Sequence, residues 1–388
     1  MRPARTLCGR QPAGRAALPL FVPTKAEAAG SHQLWSIMSS SREEDDARVN
    51  GDHQQMPPNG GVNGEGEGEL EAVMEQLAPE GVRALHARVE AEWGPVLQSA
   101  CQTAAARALW ASAVRDPAAG VLAGERHLRG LHDKMRRDER AGAREVPGVM
   151  IAVRTLWFDA RIEAAVGALG GAPQVVLLGA GMDARAYRLS CLKECTVFEL
   201  DFSELLEMKS DILHEAMSSA NHQKLTMMAK SLTRVPADIR DVDWMTKLQS
   251  YGYVPERNTI WVLEGILYYL HHVHAMQVLE TIAACRTSAY TVLLADFMNR
   301  NATTLSQTMY HFYHDSPDLL LPSIGFSQAM LSQIGDPQAH FGLLSHPQNM
   351  FEKLRRLPRS VETNPEDGTP CRRLYLVEAS ASPDDHTL

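Results

Sequence analysis

Residues 174–189 read QVVLLGAGMDARAYRL, and the change of character within this stretch decides the fold. Val175–Leu178 is an unbroken apolar run, the pattern of a central parallel strand covered by helices on both faces. Gly179 and Gly181 then permit a tight turn and let a ligand approach the backbone closely, as in a nucleotide-binding loop. Asp183 sets this turn apart from a dinucleotide fingerprint. An acid at the mouth of the following helix opposes a pyrophosphate, the group that normally sits at a helix N-terminus. A cationic cofactor meets no such opposition.

Strands and helices alternate downstream. Thr196–Leu200 is predicted as a second strand, followed by a helix over Phe202–Ser218; Leu232–Pro236 and Thr259–Leu263 read as further strands. Val273–Ala284 reads as a helix, Tyr290–Phe297 as a β-branched apolar strand, and Arg372–Ala379 as a last strand. This rhythm predicts an α/β fold with a doubly wound, mostly parallel sheet. Upstream, the Ala-rich stretch from Leu70 to Leu169 has helical spacing broken at Pro79, Pro95, Pro117 and Pro147. It is expected to form an N-terminal helical cap over 70–170. The sheet core is then expected over 171–380, with residues 300–345 as an insertion above the strand ends, and the whole of 70–380 as one domain.

The first 69 residues differ in composition. Residues 1–41 carry Arg2, Arg5, Arg10, Arg15 and Lys25 against Glu27 alone, and residues 42–69 carry eight acids, two bases and six glycines. A disordered basic leader and an acidic, Gly-rich linker are predicted. The leader has the Arg-rich, acid-poor composition of an organelle transit peptide, while a disordered extension of a cytoplasmic protein is the other reading. No apolar run reaches the roughly 20 residues of a membrane span. The six cysteines, at 8, 101, 191, 195, 285 and 371, lack zinc-ribbon spacing and are predicted as free thiols, and no metal is expected. A net charge of −9 argues against a nucleic-acid groove, which needs clustered bases. The sequence leaves the oligomeric state open.

Ligands of doubly wound sheets bind outside the carboxyl ends of the strands. Four acids fall at successive strand ends: Asp183, Asp201, Asp238 and Glu264. Asp201 stands 20 residues after Gly181, the spacing of an acid that accepts from ribose hydroxyls. Each acid alone is an ordinary loop residue; their joint placement marks a site.

Across about residues 98–300 the chain resembles the leucine carboxyl methyltransferase family, and within it the bacterial branch of S-adenosylmethionine-dependent methyltransferases. The resemblance is carried by Thr103–Arg107, Asp116–Gly124, Arg154–Asp159, the VVLLGAGMDARAYRL stretch, VFELD ending at Asp201, ADIRDVDW around Asp238, and LEGILYYL around Glu264. It implies a class I methyltransferase-like fold and an S-adenosyl-L-methionine cofactor. Arg154 is then expected to hold the cofactor's methionine carboxylate, for which a planar guanidinium suits. The resemblance further implies Gly179 and Gly181 in the cofactor loop beside Asp183, Asp201 on the ribose, Asp238 and Ile239 facing the adenine, and Glu264 near the amino-acid end.

Methyl transfer to an oxygen is the predicted reaction, on a small-molecule or protein-carboxylate acceptor. Positioning and exclusion of water supply most of the catalysis in such a displacement. A carboxylate acceptor is already ionised at neutral pH, whereas a phenol needs a base. Glu264 and Tyr268 are the candidate catalytic residues, with Asp296 at the end of the fifth strand as a further acid that could point into the cleft. His271, His272 and His274 are expected to face solvent, and His311 and His314 to share a helix face. Two alternatives remain from the sequence: a nicotinamide oxidoreductase, since Gly179, Gly181 and Ala184 satisfy a relaxed G-x-G-x-x-A pattern, and a non-catalytic scaffold of the same fold.

Overall fold

Pro95 sits in the first turn of a helix, where its missing N–H removes no hydrogen bond, and the Ala-rich sequence behind it propagates that helix. It is one of six helices between Glu80 and Leu169 that precede the sheet in a computed structural model, which describes residues 70–383 apart from 72, 76, 78, 143–145, 219–224 and 346–348. The helices are α1 (Glu80–Glu92), α2 (Pro95–Leu109), α3 (Ala111–Val114), α4 (Ala119–Ala123), α5 (Glu125–Arg140) and α6 (Val149–Leu169). The leader and linker expected over 1–69 lie outside the described residues. Among the described residues, no helix is long and apolar enough to cross a membrane.

The quoted apolar run forms β1 (Gln174–Leu178), every residue of which is buried. It is followed by a four-residue helix α7 (Arg185–Arg188), then β2 (Thr196–Asp201), α8 (Ser203–Ser218), β3 (Ser231–Pro236), α9 (Trp244–Ser250), β4 (Thr259–Leu263), α10 (His272–Ala284) and β5 (Thr291–Met298). After these come α11 (Arg300–Thr303), α12 (Pro317–Ser323), β6 (Gln328–Gln333), α13 (Met350–Arg355) and β7 (Leu374–Ala381). The seven described strands form one sheet in the order β3-β2-β1-β4-β5-β7-β6, parallel from β3 to β5, with β7 antiparallel to both of its neighbours. This is the class I methyltransferase-like, doubly wound arrangement predicted from the sequence. The order reverses between β1 and β4, which opens a crevice at their carboxyl ends.

Alternation along the strands builds a core on each face. Val176, Leu178, Phe198, Trp261 and Leu293 pack on one side with α10 residues such as Val278 and Ile282. Val175, Leu177, Val197, Ile260 and Leu294 pack on the other against Trp157, Phe158 and Ile162 of α6. Burying side chains of this size contributes about 1.5–3 kcal/mol each, so the register of β1 is firmly set.

Two expectations are corrected. The segment read as an insertion over 300–345 contains β6, which completes the sheet edge beside β7. Its QAMLSQ sequence is half polar because an edge strand faces solvent along much of its length; Met330 is 56% exposed. His311 and His314 do not share a helix face. The chain around them is irregular, and their backbone N–H groups donate outward, to the carbonyls of Tyr268 at 2.8 Å and Met298 at 3.0 Å. These bonds lay the 305–314 segment over the ends of β4 and β5.

Candidate functional site

The turn after β1 adopts left-handed backbone at both glycines, with φ of 66° at Gly179 and 48° at Gly181. A Cβ at Gly179 would stand 2.7 Å from Ile266 Cδ1, and one at Gly181 would stand 3.3 Å from the Cβ of Ala100 on α2. The turn is tied to the end of β2: the N–H groups of Gly179 and Ala180 donate to the Leu200 carbonyl at 2.9 and 3.0 Å. Asp201 Oδ2 accepts from the Gly181 N–H at 2.7 Å, and Oδ1 accepts from the Phe202 N–H at 2.8 Å. Each carboxylate oxygen keeps a further lone pair for a ligand. Burial pushes the Asp201 carboxyl up, opposed by these two N–H donors and by Lys209.

One cavity extends from this turn between α2, α6 and the loop after β4. Gly179, Gly181, Asp183, Asp201, Arg154 and Glu264 all line it, with Tyr268, Tyr269 and Tyr310. Six of the predicted site residues, far apart in sequence, therefore meet in one place, and Tyr268 joins them.

Arg154, on the buried face of α6, is 3% exposed. Its Nε donates to Glu264 Oε1 at 3.1 Å, and its Nη1 donates to Tyr268 Oη at 3.1 Å and to Asp296 Oδ2 at 3.2 Å. The other oxygen of Asp296 accepts from the Gly265 N–H at 2.7 Å. Burial lifts the Asp296 carboxyl to about 6 even though Arg154 and that N–H favour its charged form. Burial also holds the Tyr268 hydroxyl well above the ordinary phenol range, so it is a neutral hydrogen-bonding group at physiological pH.

A second arginine cluster was not assigned from the sequence. Arg185 Nη2 pairs with Glu264 Oε2 at 2.7 Å, its Nε donates to Asp159 Oδ1 at 2.7 Å, and its Nη1 pairs with Asp183. Arg188 grips Asp159 with two bonds of 2.6 and 2.9 Å. Arg107 of α2 donates to Asp116 at 2.8 Å and to the Met182 carbonyl at 2.5 Å, clamping the glycine turn from the helical cap. The segments Thr103–Arg107, Asp116–Gly124 and Arg154–Asp159 contain Arg107, Asp116 and Asp159 of this network, so part of the signal was in the sequence without its pairing.

Several sequence readings change accordingly. Asp183 is not an open acid at a helix mouth. Burial alone would raise its carboxyl, but Arg185, with Lys209, Arg107 and Arg188, pulls it down to about 2. Glu264, a candidate base, has both oxygens engaged by guanidinium groups. Asp238 and Ile239 do not line the cavity: Asp238 accepts a fork from Arg240 at 2.9 and 2.5 Å, and Ile239 packs in the core near Trp244. His271 and His272 are exposed as expected while His274 is half-buried, and His271 stacks on His311 with ring centroids 4.2 Å apart. Cys101, Cys191, Cys195, Cys285 and Cys371 are free thiols, and no group of three or more His, Cys, Asp or Glu suited to a metal occurs among the described residues.

The model of a family described as leucine carboxyl methyltransferase matches residues 100–283, which hold the turn, Arg154, Asp201 and Glu264. Over these residues the chain is similar to the leucine carboxyl methyltransferase family. Relatives include a protein of Frankia alni, 35% identical over 38% of this chain and 49% of its own length, and one of Mycolicibacterium paratuberculosis, 30% identical over 56% and 64%. Both are named for S-adenosyl-L-methionine-dependent methyl transfer. The chain spans about half the length of the curated relatives it matches. Among solved structures, a DUF574 family protein of Streptomyces avermitilis superposes with a TM-score of 0.42 at 11% identity, over 65% of this chain and 90% of that one. The matched residues include Arg154, Gly181, Asp201 and Glu264, which no single motif specifies together.

Proposed function

We propose that this chain is an S-adenosyl-L-methionine-dependent methyltransferase that transfers the methyl group to an oxygen, a carboxylate or a hydroxyl, of its acceptor. The observation that carries this reading is the Gly181–Asp201 bond at the switch point of the sheet, in a cavity whose deeper wall is Arg154 with Glu264. The fit to the cofactor rests on the space that the glycines leave and on the free lone pairs of Asp201. Asp201 would hold the ribose hydroxyls, Gly179 and Gly181 would admit the cofactor to the backbone, and Arg154 with Glu264 would hold the amino-acid end. Bound there, the cofactor supplies an electrophilic methyl group on a sulfonium.

The chain's own residues do the rest by positioning. Asp201 and Arg107 fix two adjacent residues of the turn, Gly181 and Met182. Tyr268 and Asp296 fix the Arg154 guanidinium, so the site is organised before ligand enters and less ordering is needed on binding. Asp238 and Ile239 are proposed to bound the adenine end from outside the present lining. The family's description supports an oxygen acceptor. We further propose that residues 70–380 act as one methyltransferase domain in a reducing, cytoplasmic setting, which the free thiols support.

A nicotinamide cofactor is disfavoured by a specific contact. The backbone N–H of Arg185 donates to Asp183 Oδ1 at 2.7 Å, so an acid side chain takes the place a pyrophosphate would need, and α7 spans only four residues. Calorimetric titration with S-adenosylhomocysteine and with NAD separates the two readings. Saturable binding of the former alone is expected; binding of NAD alone would overturn the assignment.

A further inference from the structure

Thr155 follows Arg154 on α6 and carries a hydroxyl that the fold itself does not use. The residue is 1% exposed, and its Oγ1 has no hydrogen-bond partner among the described residues. A threonine or serine inside a helix ordinarily bonds back to a carbonyl three or four residues earlier. Other helices of this chain follow that rule: Thr103 donates to the Ala100 carbonyl at 2.8 Å, Ser210 to that of Leu206 at 2.7 Å and Thr281 to that of Gln277 at 2.7 Å. Leaving a buried hydroxyl unpaired costs free energy, and most such groups in folded proteins are paired. Thr155 departs from the rule at a place that a partner can reach.

Ile151, Arg154 and Thr155 stand at i, i+3 and i+4 on α6, and all three line the cavity. Arg154 also keeps a donor in reserve. Its bonds to Glu264, Tyr268 and Asp296 run from Nε and Nη1, and Nη2 has no partner among the described residues. Two uncommitted donors on successive residues, one of them charged, therefore border the same cavity. A carboxylate has lone pairs for both, and bonds from guanidinium to carboxylate are among the stronger kinds.

We infer that Thr155 is a ligand-binding residue whose hydroxyl donates to the carboxylate of the cofactor's amino-acid end, beside Arg154 Nη2. This rests on the methyltransferase reading above and adds to it a residue that acts only on the ligand. The unpaired hydroxyl is a cost to the free chain that binding removes. Replacing it should therefore leave the free chain as stable or more so while weakening its hold on the cofactor, a combination that a purely structural residue does not give.

Thermal unfolding and calorimetric titration of the full chain test this with two variants: Thr155→Val keeps the branched shape without the hydroxyl, and Thr155→Ser keeps the hydroxyl. Thr155→Val should bind S-adenosylhomocysteine at least about tenfold more weakly, with a ligand-free melting temperature equal to or above that of the wild type. Thr155→Ser should bind it within about threefold of wild type. The wild-type chain should also bind S-adenosyl-3-thiopropylamine, which is S-adenosylhomocysteine without its carboxylate, at least about tenfold more weakly than the parent ligand. Affinity of Thr155→Val within twofold of wild type would make water the hydroxyl's partner and overturn the inference. So would a melting temperature several degrees lower in Thr155→Val, binding by Thr155→Ser as weak as by Thr155→Val, or equal binding of the two ligands by the wild type. Failure of the wild-type chain to bind S-adenosylhomocysteine at all is a separate result, which overturns the cofactor reading and this inference with it.

Discussion

The Gly181 N–H donates to Asp201 Oδ2 over 2.7 Å, across 20 positions of sequence and between the ends of two adjacent parallel strands. The bond fixes the glycine turn and the carboxylate relative to each other before any ligand arrives. Asp201→Ala removes both this tie and the acceptor for ribose hydroxyls, each charged hydrogen bond being worth about 1.5–3 kcal/mol. Calorimetry should show S-adenosylhomocysteine affinity at least about tenfold weaker. Affinity within twofold of wild type in a folded variant would remove Asp201 from the cofactor site.

Gly179→Ala should destabilise the fold. Left-handed backbone costs a non-glycine residue about 1–2 kcal/mol, and the new methyl would collide with Ile266, 2.7 Å away, adding about 1–3 kcal/mol of overpacking. A second change, Ile266→Ala, relieves only the collision. The double variant should therefore recover part of the lost melting temperature relative to Gly179→Ala; no recovery would mean that the loop moves aside on its own.

Arg154 bonds to Glu264, Tyr268 and Asp296 through a planar group that an ammonium cannot reproduce. Arg154→Lys is expected to lower thermal stability by several degrees and to weaken S-adenosylhomocysteine binding, because partners buried around it lose their hydrogen bonds. Wild-type values on both measures would reduce Arg154 to a replaceable charge.

Asp296 gives a pH signature. Its carboxyl is raised from 3.8 to about 6, mainly by burial. Between those values the folded chain holds a proton that the unfolded chain has released, so this group's contribution to stability falls as pH rises from about 4 to 6 and is level above. Its full size is about 3 kcal/mol, at 1.36 kcal/mol per unit. Urea unfolding of wild type and Asp296→Asn across this range should give a stability difference that shifts against wild type as pH rises. A difference independent of pH would place the carboxylate in its charged state throughout.

Strands β1, β4 and β5 were legible in the sequence because burial on both faces demands continuous apolar runs, whereas β2, β3 and β7, whose TVFELD, SLTRVP and LYLVEASA carry polar residues, were legible from the strand–helix rhythm around them. The edge strand β6 was not, since QAMLSQ, exposed along much of one side, has the composition of a loop. At the site, the glycine turn and Asp201 were readable from local spacing, and family resemblance pointed to Arg154 and Glu264. The partners of Arg185 and Arg107 were not, because Asp159, Glu264 and the Met182 carbonyl lie 26, 79 and 75 positions away and only the sheet brings them together. Asp183 was legible as an acid in the turn, but its pairing with the arginine two residues on was not. Asp238 was read as a cavity acid because it ends a strand; in the fold, Arg240 takes up its carboxylate.

The most direct test of the cofactor assignment is a crystal structure of the full chain with S-adenosylhomocysteine bound. The account predicts electron density for the ligand along the Gly179–Gly181 turn, with both ribose hydroxyls within about 2.5–3.0 Å of the Asp201 carboxylate and the amino-acid end toward Arg154 and Glu264. Ligand density elsewhere on the chain, or in this cavity with the ribose turned away from Asp201, would contradict it.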